Sequence, residues 1–163
     1  MRRLALFLFC ILIAVVCLAS CGQRSDPWEV FSSPFEAELD GTLYGEHFAA
    51  RVKAEDLSEN GGRTVTVTFY APEALSGTVL CLEPGGRVTL SLGDITLEGE
   101  SLPGAALLSL FPAGGRVLSA DLTDEGNTRL SGEGISVLFS SDGRPMLIQT
   151  DAVSATVVRF QQK

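Results

Sequence analysis

From Phe35 onward, apolar and polar side chains alternate with a period of two, and nothing else in the chain limits its fold so tightly. Phe35, Ala37, Leu39, Gly41 and Leu43 fall on one parity; Glu36, Glu38, Asp40, Thr42 and Tyr44 fall on the other. After a turn at Gly45-Glu46, Phe48, Ala50, Val52 and Ala54 alternate with His47, Arg51 and Lys53. Successive side chains of a strand point to opposite faces, so these runs predict strands with one buried face and one wet face. Acids of the first run lie against bases of the second, as neighbouring antiparallel strands favour.

The same signal continues along the chain. Asn60-Gly61-Gly62 is a turn into a strand over 64–70, with Val65, Val67 and Phe69 inward and Pro72 ending it. Further strands are expected over 78–82, 87–92, 95–98, 116–122, around 129–130, and over 135–139, 145–150 and 153–160. Pro84-Gly85-Gly86, Gly93-Asp94, Asp124-Glu125-Gly126-Asn127 and Asp142-Gly143 supply the turns. The expectation is a mainly β domain: a curved antiparallel meander of nine or ten strands forming an incomplete barrel. Residues 103–111 break the alternation. Ala105, Ala106, Leu107, Leu108 and Leu110 favour helix, Pro103 suits a first turn and Pro112 an end. The segment is apolar nearly all round and must be covered on most sides. A short helix is therefore expected to plug the concave side through Leu107, Leu108 and Phe111.

The start of the chain is a targeting device. Arg2 and Arg3 precede an unbroken apolar run over 4–19, which is 16 residues. A membrane-spanning helix needs about 20, so the order of charge then apolar run reads as a secretory signal peptide. It ends in Leu18-Ala19-Ser20-Cys21-Gly22, which resembles the bacterial lipoprotein lipobox. That resemblance implies a diacylglycerol on the Cys21 thiol and cleavage just before it. Two acyl chains, at about 0.8 kcal/mol per buried CH₂, make a lasting anchor. The expected organisation is a signal peptide over 1–20, a lipidated N-terminus and flexible tether over 21–34, and one domain over 35–163. The expected location is the cell membrane, lipid-anchored, facing the periplasm or the cell surface. Trp28 and Phe31 interrupt the polar tether and rest either on the domain edge, the favoured expectation, or at the membrane interface.

Taken together, the lipobox, tether, meander and short apolar helix resemble the LolA/LolB-type half-barrel lipoproteins over about 35–163. The resemblance implies a concave sheet that shelters an apolar moiety. Only residues 18–21 match that group position by position. The chain departs from its carrier members in having no basic residue on the inward parity of the first two strands, since Arg51 and Lys53 point outward.

Little in the sequence supports catalysis. The formal net charge is −8, and removing Arg2 and Arg3 from the 12 basic residues leaves 10 against 20 acids. Such a surface argues against nucleic acid as a partner, because phosphate binding needs a basic face. The single His47 reads as a solvated turn residue. Asp121, Asp124, Glu125 and Asn127 miss the spacing of a calcium loop. Ser140-Ser141-Asp142 has no histidine to complete a triad. Gly85-Gly86 and Gly114-Gly115 read as tight turns. Beyond the leader and Cys21, only Cys81 remains, expected as a buried, inert thiol. No enzyme activity, cofactor or metal is expected.

The binding candidates are the inward side chains Phe48, Val52, Val67, Phe69, Leu90, Leu92, Val137, Phe139 and Ile148. They either line a concavity for a lipid, lipoprotein cargo or other apolar ligand, or pack against the helix and leave no void. The first option makes the protein a non-enzymatic binder of apolar ligands. The second makes it an interaction or envelope-regulatory module with a filled core, recognising an envelope protein through its acidic face or a sheet edge.

Overall fold

The computed structural model describes residues 28–57, 62–99, 102–112 and 117–163. The leader, the lipobox with Cys21, the tip of the turn at 60–61, and Gly114-Gly115 lie outside the described residues. Among the described residues eleven strands form: β1 Phe35–Leu43, β2 Glu46–Leu57, β3 Gly62–Ala71, β4 Val79–Leu82, β5 Val88–Leu92 and β6 Ile95–Glu98, then β7 Ser119–Leu122, β8 Thr128–Gly132, β9 Ile135–Phe139, β10 Pro145–Thr150 and β11 Val153–Gln162.

All eleven belong to one antiparallel sheet in the order β6-β5-β4-β3-β2-β1-β11-β10-β9-β8-β7. The count exceeds the nine or ten expected. The topology is also more specific than one running meander. The last strand returns to the first, so two meanders, β1–β6 and β7–β11, meet along the β1–β11 seam. The edges β6 and β7 do not pair with each other, and the barrel stays incomplete.

Local chemistry sets the first hairpin. Tyr44 and Gly45 form a two-residue loop with φ of 51° and 86°, the double positive φ that matches the twist of the flanking strands. This fixes Phe35 opposite Ala54, Ala37 opposite Val52, Leu39 opposite Ala50 and Gly41 opposite Phe48. Large side chains face small ones, which lets one layer of the core close without voids. On the outer face Arg51 reaches Glu36 at 3.4 Å and Glu38 at 3.5 Å. Exposed pairs of this kind add little stability.

Two segments outside the strands cover the inner face. One is a 3-10 turn at Glu29–Phe31. The other is 102–111, which contains the 3-10 turn Ala105–Ser109. Trp28 is 1% exposed and Phe31 0%, so the core takes in chain ahead of Phe35. The expected helix over 103–111 is thus only a five-residue 3-10 turn. Gly104 enters it in a left-handed conformation and Pro112 follows closely. The seven residues between them make a helix that is marginal by itself, and the segment closes as a 3-10 turn instead. The burial expected of the segment is nevertheless present: Leu107, Leu108, Leu110 and Phe111 all lie in the core.

Candidate functional site

The inner face is one continuous apolar surface, contributed by alternate residues of nearly every strand. Of the side chains singled out in the sequence, Phe48, Val52, Val67, Phe69, Val137, Phe139 and Ile148 are buried in its centre. Leu90 is half-buried at the margin of that core. Leu92 shares the parity of Leu90 but is 49% exposed. It pairs with Ile95 at the end of the β5–β6 hairpin, beyond the reach of the covering segments. Ile95 and Leu97 lie on this same inner face and are also exposed. Across the opening, Leu122 of β7 pairs with Thr128, which in turn faces Phe139, and Leu122 too is exposed. The centre of the apolar face is therefore filled, while its two rims are wet.

The filling segment 102–111 is held by packing. Its backbone bonds stay within itself: Leu107 N–H donates to Gly104 at 2.8 Å, Ala105 to Leu102 at 3.1 Å and Leu110 to Leu107 at 3.4 Å. The Ser109 hydroxyl donates to the Ala106 carbonyl. Among the described residues its backbone makes no hydrogen bond to a strand. Gly104 sits against Phe69 and Leu80, where an added Cβ would lie 3.2 Å from the Phe69 ring. Phe111 lies 4.8 Å from Phe35 and 5.3 Å from Phe31, ring centre to ring centre. The segment thus begins over β3 and β4, at Phe69 and Leu80, and ends on Phe35 of β1. Across the sheet from Phe35 lies the start of β3.

At that start stands Arg63, which counting by parity back from Val65 puts on the inner row. Alternation read from Val65 onward does not reach it, so it is a site residue that the sequence reading misses. Its guanidinium carbon lies 5.1 Å from the centre of the Phe35 ring. Nε and both terminal nitrogens are buried and make no hydrogen bond among the described residues. Burial lowers the pKa of Arg63 and the charge of Asp56 opposes that. Asp56 stands opposite in register but is solvent-exposed and accepts no bond from it. Thr78 Oγ1 is the other buried side-chain atom without a partner among the described residues.

The remaining polar groups have local explanations. His47 meets Asp40 at 3.4 Å on the outer face. Thr123 and Asn127 close a turn, with Thr123 N–H donating to the Asn127 carbonyl at 2.8 Å. The Ser140 hydroxyl donates to Asp142, whose carboxyl is held below its usual pKa by that bond and by Arg144. Cys81 is half-buried rather than buried. It lies on the outer face opposite Thr66, whose hydroxyl points at its sulfur at 3.9 Å. A hollow of about 450 Å³ beside Arg144, Met146, Val158 and Arg159 is open to solvent on the outer side of β10 and β11. Among the described residues no group of His, Cys, Asp or Glu is placed to hold a metal.

No protein-family model matches the chain, and no curated protein sequence matches it. Among solved structures it is similar to an uncharacterized conserved protein from Thermus thermophilus, with 19% identity over 82% of this chain and 81% of that one and a TM-score of 0.52. It is also similar to a putative outer membrane lipoprotein-sorting protein domain from Vibrio parahaemolyticus (9% identity, 81% and 86% covered, TM-score 0.49). A third is a LolA superfamily protein from Nitrosomonas europaea (8% identity, 86% and 94% covered, TM-score 0.44). The first likeness shows a shared fold over some four-fifths of both chains.

Proposed function

We propose that this protein is a lipid-anchored, extracytoplasmic, non-enzymatic binder that takes up an apolar ligand on the inner face of its sheet, in exchange for the segment 102–111. The observation that carries the reading is how that segment is held. Leu107, Leu108 and Phe111 are buried against the sheet, yet no backbone hydrogen bond ties the segment to a strand among the described residues. Apolar burial is non-directional and scales with area, at about 25 cal/mol per Å². An acyl chain therefore replaces such a plug like for like. A strand hydrogen-bonded into the sheet would be far harder to displace. The exposed Leu92, Ile95, Leu97 and Leu122 extend the same surface to the rims, where more of a long ligand would be covered.

Competition between plug and ligand gives a signature that simple packing does not. Leu107→Ala weakens the docked plug and raises the fraction of binding-competent chains. Apparent affinity for a neutral acyl probe should then rise about tenfold for each 1.4 kcal/mol removed from docking, although the fold itself becomes less stable. Probe titration of the purified full chain, with native mass spectrometry for a copurified lipid, reads both. An affinity that falls in step with stability, with no lipid found, removes the reading.

The anchor is tested separately. Cys21→Ser should move the chain from the membrane pellet to the soluble fraction, since both acyl chains depend on that one thiol. Unchanged sedimentation rejects the lipid anchor.

The two sheet edges favour a second reading, in which the partner is a protein. β6 and β7 are short, wholly exposed strands, and each presents unpaired backbone groups beside exposed leucines. A peptide strand added there would leave plug and core in place, so Leu107→Ala would not strengthen its binding.

A further inference from the structure

We propose that Arg63 is an anion-recognition residue, and that the ligand is a single-chain amphiphile with an anionic oxygen headgroup. The proposal rests on the ligand reading above and names the chemistry of its polar end.

Three features converge on one guanidinium. It lies on the inner, apolar row of β3 and not on the charged outer face. All three of its nitrogens are buried without a hydrogen-bond partner among the described residues. Its fixed neighbour is the Phe35 ring at 5.1 Å, which contacts a face of the cation but satisfies none of its five N–H donors. Buried charges in native proteins are paired or hydrogen-bonded, and an orphaned one needs an explanation. Asp56, the acid opposite in register among the described residues, is exposed and accepts nothing from it. The planar fork of Arg63 is matched to two oxygens of a carboxylate or phosphate.

The placement also suits an amphiphile. From Arg63 the inner row of β3 continues as Val65, Val67 and Phe69, all buried and apolar. The six residue steps from Arg63 to Phe69 give a track of about 20 Å, and the displaceable plug covers its Phe69 end and reaches Phe35, the ring beside Arg63, at the other. A ligand with its anion at Arg63 would lay its chain where the plug lies, with the head at the end marked by Phe111. Charge complementarity sits at one end of the track only, which fixes the orientation of the ligand.

The probes are palmitate, palmitoyl lysophosphatidate, monopalmitoylglycerol and palmitoyl lysophosphatidylcholine. Each is titrated below its micellar concentration, by displacement of a neutral fluorescent acyl probe from the full chain. The wild-type protein should bind palmitate or lysophosphatidate about tenfold more tightly than monopalmitoylglycerol. Whichever of the two is preferred distinguishes a carboxylate from a phosphate. Arg63→Gln should abolish that preference and leave monopalmitoylglycerol within about twofold of wild type. Arg63→Lys, which keeps the charge without the fork, should retain part of it and guards against a folding defect in the glutamine variant. Equal wild-type affinity for anionic and neutral probes overturns the role of Arg63 while the apolar-ligand reading stands. So does a preference that survives Arg63→Gln. Failure of all four probes to bind overturns both.

Discussion

Replacing Phe31 with alanine is expected to lower stability by about 3–5 kcal/mol, which for a domain of this size means a melting temperature about 10–20 °C lower. The reason is where the ring sits. Its centre lies 6.0 Å from Phe35 on β1, 5.3 Å from Phe111 at the end of the plug, 6.0 Å from Phe139 on β9 and 6.1 Å from Phe160 on β11. One side chain, 0% exposed, therefore joins both meanders and both covering segments. Three of these four neighbouring rings, Phe35, Phe139 and Phe160, are held by their own strands, so the site collapses only in part when the ring is removed, and a cavity term adds to the lost transfer energy. Val158→Ala is the internal comparison. Val158 is 65% exposed beside the β1–β11 irregularity, and its loss should change stability by under about 0.5 kcal/mol. Urea unfolding of both variants decides the matter. A loss below about 1 kcal/mol for Phe31→Ala would mean that residues 28–31 are not part of the core.

That result also bears on what the sequence makes legible. Period two is a strong signal because one face of every strand is buried, and it picks out Phe48, Val52, Val67, Phe69, Val137, Phe139 and Ile148, all of which lie in the core. Topology is not encoded in alternation. The partner of β1 at its second edge is β11, far away at the other end of the domain sequence, and only the fold shows that the two meanders meet there. Burial fails to follow parity at the rims for the same reason. Leu92 has the right parity, but what covers a residue is a tertiary matter, and nothing covers the end of the β5–β6 hairpin.

Segments without a period are the least legible. Residues 103–111 are rich in helix formers, yet between a left-handed Gly104 and the nearby Pro112 the stretch is too short for propensity to decide, and it forms one 3-10 turn. Phe31 lies in a polar stretch that composition marks as a tether; the sequence places it at most on the domain edge, and the fold puts it inside the core. Arg63 is legible in principle: it stands two residues before Val65 and hence on the inner row. A charged residue at the start of a strand is ordinarily a solvated one, and that expectation hides it.

The seam between the meanders yields the other large effect. Gly41→Val should destabilise the protein by about 3 kcal/mol, and it should do so by loosening one strand pair. Gly41 lies between Phe48 on β2 and Ala155 on β11. A Cβ built on it would stand 2.6 Å from the Ala155 Cα and closer still to the Ser154 carbonyl oxygen. Both obstacles are backbone, so no side-chain rotation relieves the clash and β11 must move away from β1. Because β1–β11 is the only strand pairing that joins the two halves of the sheet among the described residues, the damage concentrates there. Native-state hydrogen exchange should show lost protection at amides of β1 and β11 that bond across the seam, with those between β2 and β3 far less affected. Gly126→Ala tests a different cause of strain. Its φ is 79° with no atom near the added Cβ, so it should cost only about 1 kcal/mol from backbone conformation and leave the seam protected. A neutral Gly41→Val, or one that opens β2–β3 as readily as β1–β11, would contradict the close approach of β11 that lets eleven strands form one sheet.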